Sequence, residues 1–435
     1  MIDDIKIVEI SNGVRLHLMK SIKFKTNLIA INLKRPLKKE EATKNTLITR
    51  ILERGTTKFP SSKEINIHLE ELYGSILVAD VSKHGEKHTL TFKSHFPSEK
   101  HILEKDIFKK SVDLLNELIF NPFLEETEKG IAFNKSYFEQ EKENLRDEIA
   151  TLVNDKTQFA VDRCIELMCE NEPYSVPQYG SIEELEKITC VDLYNHYQDV
   201  LKSSNVDITV IGDIDFDEVE QIIKEKIKFN VSNLVEIPKE QIKFDISKVR
   251  EYRENFKVKQ GKLTIGYRVN TGFEDDLFEA STIYGIILGG GGNSKLFMNV
   301  REKESLCYYI FSKVEKFKSI MIVSAGVEFE NFDRTLELID ENMKQIVEGD
   351  FTDEDLRIAK DLIVSSIDSI SDFPNSFINF YYNQTLTGHK FDLVKLKEKY
   401  EKVTKEDVIK VAKRVSKDTI YYLDGENNDE NRKNV

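Results

Sequence analysis

One order of predicted elements runs through this chain twice, and that repetition limits the folds open to it more than any other feature. Alternating apolar residues mark a strand at Ile5, Ile7 and Ile10. Ser11-Asn12-Gly13 marks a turn, and Val14, Leu16 and Leu18 mark the returning strand. Asn-Gly between two alternating runs signals a tight hairpin. A third strand is predicted at Asn27–Leu33. Leu47, Ile48, Ile51 and Leu52 then recur at helical spacing up to Gly55, and Pro60-Ser61-Ser62 opens a second helix through Ile65, Leu69 and Leu72. Strands at Ile76–Val81 and His88–Phe96 come next. Long helical periodicity follows from Lys105 to Leu201, broken at Asn121-Pro122 and Glu172-Pro173. A β-branched run, Val206–Gly212, and a helix from Phe216 close the first half.

The stretch 229–250 has weak periodicity and reads as a linker. After it the order recurs: a strand at Leu263–Val269, a helix at Phe278–Leu288, a Gly-rich turn and another helix. Strands at Cys307–Lys313 and Ile320–Ala325, long helices and a last strand at Thr419–Leu423 complete it. The expected fold is α+β: two related units, each an antiparallel-rich sheet with helices packed on it. The first spans 1–228, the linker 229–250 and the second 251–425. The charged, apolar-free tail 426–435 is expected to be disordered. A chain of 435 residues exceeds one ordinary core, since domains commonly hold about 100–200 residues.

Composition excludes several classes of function. The formal net charge of -14 argues against a nucleic-acid surface, which needs clustered Lys and Arg. No apolar run is long enough to span a membrane. The opening MIDDIKIVEISNG lacks the basic-then-apolar pattern of a secretory signal. Cys164, Cys169, Cys190 and Cys307 form no CxxC, so reduced thiols in a cytoplasm are expected. Metal-ligand spacing is weak. His84 and His88 lie four apart, but the Gly between them places them on a hairpin, where that spacing does not converge as on a helix. His17, His68, His95, His101, His196 and His389 are isolated. Gly289–Gly292 do not meet the phosphate-loop pattern, because Ser294-Lys295-Leu296 follow. Their glycines permit close backbone approach, to a ligand or to a neighbouring helix.

Three blocks carry a family resemblance. KNTLITRILERGTTKFPSSKEINIHLEELYGS, EPYSVPQYGSIEELEKITCVDLYNHY and GIILGGGGNSKLFMNVREKESLCYYIF together resemble the insulinase/pitrilysin (inverzincin) metallopeptidases. Matched segments run from about Ile5 to Leu423. The resemblance implies a clam-shell arrangement of the two units. Active members carry H-x-x-E-H on a helix ahead of Gly-Thr. Two His at i and i+4 share a helix face and reach one Zn²⁺, the Glu between them acts as general base, and a distant Glu completes the site.

Aligned on Gly55-Thr56, the motif positions fall on Thr46, Thr49 and Arg50, with Glu141 matching the distant Glu. None of the first three can serve. An Arg about 3 Å from Zn²⁺ would cost roughly 10 kcal/mol at an effective dielectric near 20, and it cannot shed its proton. The helix bearing Glu141 then reads as a surface-charged helix. In the third block the resemblance implies that Arg301 and Tyr308 bind substrate beside a zinc, with Gly290 and Gly291 near them. A guanidinium and a phenol aimed at the scissile carbonyl would stabilise its developing charge.

The implied role is a non-catalytic, substrate-shaping subunit of a heteromeric zinc peptidase. Such a chain holds no cofactor itself. Its partner is a related chain carrying H-x-x-E-H and the zinc, and its substrate is a peptide or protein. Nucleic acid and membrane are excluded as partners, and a homodimer is compatible with the isolated chain. The sequence also looks close to a bacterial pseudopeptidase subgroup associated with modification of elongation factor P. The alternative is a scaffold pseudopeptidase with no role in proteolysis.

Overall fold

The computed structural model describes residues 4–388 and 392–426. His389 and nearly all of the charged tail therefore lie outside the described residues. The chain divides into two compact units, each built around one sheet.

The first unit holds a six-stranded sheet: β1 (Asp4–Ser11), β2 (Val14–Lys20), β3 (Thr26–Pro36), β4 (Ile76–His84), β5 (Lys87–Pro97) and β8 (Asn205–Gly212), in the order β1-β2-β8-β3-β5-β4. Every pairing is antiparallel except β2 with β8. A small hairpin, β6 (Leu124–Thr127) and β7 (Gly130–Phe133), stands apart. Gly130, with a φ of 111°, sits in its turn, a conformation that side chains disfavour. The helices are α1 (Lys39–Leu52), α2 (Ser62–Glu71), α3 (Ile107–Phe120), α4 (Lys135–Thr151), α6 (Ile182–Lys187), α7 (Cys190–Ser203), α8 (Phe216–Lys226) and α12 (Pro374–Thr387).

Strand alternation sends Leu16, Ile31, Phe92 and Ile208 to one face. There they form a core with Leu47 and Ile51 of α1, Leu115 of α3 and Leu193 of α7. The opposite face is polar: His17, Asp207, Asn32 and Thr91 stand on it.

The second unit has five strands, β9 (Arg250–Phe256), β10 (Gly261–Arg268), β11 (Cys307–Glu315), β12 (Ile320–Val327) and β13 (Ser416–Gly425), in the order β11-β12-β10-β13-β9. Its helices are α5 (Lys156–Met168), α9 (Phe278–Gly289), α10 (Phe332–Val347), α11 (Asp353–Ile370), α13 (Leu393–Glu401) and α14 (Lys405–Arg414). Leu263, Ile265, Tyr267, Val323 and Ile420 face a core completed by Ile283, Ile339 and Val408. The opposite face is sealed by α5: Ala160, Cys164 and Met168 pack on Ile320, Ile322, Tyr421 and Leu423. Gly266 allows this approach, since a Cβ there would lie 2.5 Å from the Met168 sulfur.

The mixed α/β architecture with antiparallel-rich sheets is the one expected. The division along the chain differs from contiguous spans in two places. Residues 151–175, carrying α5, belong to the second unit, and residues 370–386, carrying most of α12, belong to the first. Each segment is tied by contacts distant in sequence, which local periodicity cannot register. The β6–β7 hairpin directly follows the predicted break at Asn121-Pro122 and occupies residues whose periodicity reads as helix. All four cysteines are free thiols.

The degenerate metal site and the Arg301–Tyr308 pair

Thr46, Thr49 and Arg50 lie on α1, and Glu141 lies on α4. The two threonines are fully buried, and their hydroxyls are turned back onto their own helix. Thr46 Oγ1 donates to the Ala42 carbonyl at 3.1 Å, and Thr49 Oγ1 donates to the Thr46 carbonyl at 2.8 Å, the usual fate of a hydroxyl inside a helix. Arg50 Nη2 lies 3.2 Å from Glu148 Oε1 and 3.6 Å from Asp80 Oδ1. Arg54, one turn on, places Nη1 3.4 Å from Glu141 Oε1. Two guanidinium groups thus meet the carboxylates of α4 and β4.

These residues do not fit a zinc ion. The hydroxyls are spent on carbonyls, and the carboxylate matching the distant ligand faces Arg54. Among the described residues no group of three His, Cys, Asp or Glu could hold a metal. The chain purified after zinc supplementation is expected to carry well under one zinc per chain by elemental analysis. Stoichiometric zinc lost on Glu141→Gln would contradict this.

The surface-helix expectation for Glu141 needs correction, because the side chain is buried at 7% exposure. Burial raises its pKa, with Arg54 and the Asn144 amide opposing. Glu53, capping α1, was missed entirely. Its Oε1 accepts the Ala79 N–H of β4 at 2.7 Å, and burial pushes its carboxyl up to about 7. The folded state therefore holds this proton above the pH at which an unfolded Glu releases it, so stability falls as pH rises from about 4.5 to 7. Glu53→Gln keeps the acceptor and removes the charge. It is expected to gain of the order of 2 kcal/mol over the parent at pH 8 and little at pH 4.5 in urea titrations. An equal difference at both pH values would refute the assignment.

The histidines also differ from the reading of isolated side chains. His84 ends β4, and the β4–β5 hairpin turns at Gly85, as expected. His88 and His196, however, are joined through Asn45 of α1. His196 Nε2 donates to Asn45 Oδ1 at 2.8 Å, Asn45 Nδ2 donates to His88 Nδ1 at 3.0 Å, and His88 Nε2 donates to the Gln178 carbonyl at 2.9 Å. Burial holds both imidazoles down to about 4, so they are neutral. An Asn one residue before Thr46 on a helix face that turns inward was the only available signal.

In the second unit, Arg301 lies in a seven-residue π-helix, Phe297–Lys303, with its guanidinium carbon 4.5 Å from the centre of the Phe297 ring. Arg301 Nε donates to the Tyr308 carbonyl at 2.9 Å, and Nη1 lies 3.3 Å from Glu302 Oε1. The guanidinium thus meets the backbone carbonyl of Tyr308 rather than its phenol. Tyr308 stands at the head of the edge strand β11. There the register slips, Cys307 pairing with Val327 and Tyr309 with Gly326, so Tyr308 is the extra residue of a bulge. Bulges re-aim side chains, and this ring is 77% exposed. Of the nearby glycines, Gly290 is crowded by its own helix, a Cβ lying 2.6 Å from Ile286 Cα. Gly291 opens on a groove beside Leu362.

Fold and site together define a metallopeptidase-like chain whose metal position is filled by arginine–carboxylate pairs. The family described as Peptidase M16 inactive domain matches residues 187–363. The chain is 34% identical to the Bacillus subtilis protein named "Probable inactive metalloprotease YmfF" over 414 residues, 95% of this chain and 96% of that one. This chain belongs to the peptidase M16 family and is a non-catalytic member of it. A conserved protein from Enterococcus faecalis has a similar structure, with a TM-score of 0.91 at 27% identity over 98% of this chain and 99% of that one. A protease from Helicobacter pylori shares the fold, with a TM-score of 0.81 at 14% identity over 98% of this chain and all of that one. No helix among the described residues is long and apolar enough to cross a membrane.

Proposed function

We propose that this pseudopeptidase is the substrate-shaping subunit of a two-chain zinc peptidase. Its partner is a related chain that carries H-x-x-E-H and the metal, and its substrate is a peptide or protein. The observation that carries the reading is Tyr308: a phenol aimed outward by a bulge, on a strand whose backbone Arg301 holds. A scaffold has no need of that arrangement. Tyrosine is enriched at interfaces, where its ring is covered and its hydroxyl finds a partner, and an edge strand offers backbone to which an extended peptide can add.

The test is to isolate the chain from its native cells and inspect what co-purifies. A chain bearing H-x-x-E-H, with chelator-sensitive peptide cleavage by the pair and none by either chain alone, is the expected result. Capture of no such chain, or a partner fully active by itself, would leave the scaffold reading in its place.

A further inference from the structure

The helix α12 lies on the polar face of the first sheet, burying Phe377, Ile378 and Tyr382 and carrying an asparagine stripe beside them. Packed helices normally turn an apolar stripe inward. Asn375, Asn379 and Asn383 recur every fourth residue, so they share one face. Asn375 and Asn379 are exposed, yet both reach the sheet: Lys93 Nζ of β5 donates to Asn375 Oδ1 at 2.9 Å and to Asn379 Oδ1 at 3.2 Å. Tyr381 and Tyr382, beside the stripe, reach His17 Nδ1 at 3.3 Å and Thr89 Oγ1 at 3.0 Å. Between helix and sheet lies a cavity of 340 Å³, within the size range of small-molecule sites. Asn379 and Asn383 line it from the helix, and Asn32, Asp80, Ser82 and Lys93 line it from three strands.

The charges of this cavity are set apart. Asp80 pairs in register with Thr91, and Val78 pairs with Lys93. Asp80 and Lys93 are therefore diagonal neighbours on one face, close enough for long side chains to meet. They do not form an ion pair. Asp80 leans towards Arg50, 3.6 Å away, and Lys93 is held by two neutral amides, with no carboxylate at ion-pair distance among the described residues. A half-buried ammonium answered only by amide oxygens is an incompletely compensated charge. Burial lowers the Lys93 pKa, and Asp80 pulls the other way.

We propose that this cavity binds a small zwitterion of the amino-acid or dipeptide class. Its carboxylate sits on Lys93, and its ammonium sits on Asp80 and Ser82. The asparagine amides hydrogen-bond a peptide group between them. An asparagine stripe suits this ligand because each amide offers both a donor and an acceptor to a peptide bond. The site lies within the first unit, so the proposal does not depend on a peptidase partner.

The experiment is isothermal titration of the full-length chain with Gly-Gly and Ala-Ala. Controls are the N-acetylated and C-amidated dipeptides, acetate and inorganic phosphate. Saturable binding by a free dipeptide is expected, weakened roughly tenfold or more by either blocking group, because each removes a charge-assisted hydrogen bond. Lys93→Met and Asp80→Asn are expected to weaken it similarly. Ser82→Phe, which fills the cavity, should abolish binding while circular dichroism stays unchanged, so a folding defect in one variant does not decide the matter. Absence of saturable binding, or binding indifferent to Ser82→Phe, overturns the proposal. Acetate or phosphate binding as well as the dipeptide, with Asp80→Asn without effect, overturns the zwitterion assignment.

Discussion

Replacing Tyr308 by Phe in the assembled pair is expected to lower peptide turnover about 10²–10³-fold while leaving assembly intact. Hydrolysis places negative charge on the scissile carbonyl oxygen, and a donor fixed before the reaction stabilises that charge more than it stabilises the bound substrate. The backbone that carries the Tyr308 phenol is fixed. Its backbone is pinned from the carbonyl side by Arg301 at 2.9 Å, and its neighbours Cys307 and Tyr309 are locked into the β11–β12 ladder. One hydroxyl contributes little to an interface of ordinary size, so co-elution of the two chains should not change. Arg301→Ala removes the pin as well as a charge, and should lower turnover at least as far. Steady-state turnover and size-exclusion elution, measured on the same preparations, separate the two effects. Turnover equal to that of the parent pair, with assembly intact, would remove Tyr308 from the reaction.

Arg268→Ala is expected to destabilise the second unit by about 3–5 kcal/mol. Arg268 is 2% exposed. Its Nε lies 2.8 Å from Asp418 Oδ2, and its Nη2 lies 2.5 Å from Glu172 Oε1. Nη2 also donates to the Met168 carbonyl at 3.1 Å, and the guanidinium stacks 4.0 Å over the Phe244 ring. Lys318, fully buried, supports Glu172 at 2.7 Å, and Arg250 supports Asp418 at 2.7 Å. Removing Arg268 leaves Glu172 to Lys318 and Asp418 to Arg250, but it takes several buried charge-assisted hydrogen bonds from both carboxylates and one from the Met168 carbonyl, and those losses together account for the size of the effect. Arg268→Lys keeps the charge but cannot hold both carboxylates in a fork, so it should fall between parent and Ala. The chain has no Trp and 16 Tyr, so unfolding in urea can be followed by tyrosine emission and far-UV circular dichroism. A loss below about 1 kcal/mol would mean that the network contributes little.

Strands and core helices were legible because burial on one face imposes a period that local sequence displays. Leu47, Ile48, Ile51 and Leu52 declare α1, and Val206–Gly212 declares β8. The lost zinc site was legible for a related reason. A metal motif on a helix needs particular residue types at i and i+4, and Thr46 and Arg50 visibly fail the requirement. Arg301 and Tyr308 were singled out by the family resemblance of their block, since an Arg and a Tyr at one spacing carry no signal by themselves.

The tertiary structure alone decided the rest. Residues 151–175 carry ordinary amphipathic helix, and nothing local tells Cys164 and Met168 that their apolar face will meet Ile320 and Leu423, more than 150 residues away in sequence. Lys93 of β5 looks like a solvent-facing cation until α12 partly covers it and Asn375 and Asn379 take its ammonium. Glu141 looks like surface charge until Arg54 covers it, and His88 and His196 look unrelated until Asn45 bridges them. In each case the deciding term is desolvation by a distant segment. That free energy depends on what packs against a side chain, and a residue's neighbours in sequence do not specify it.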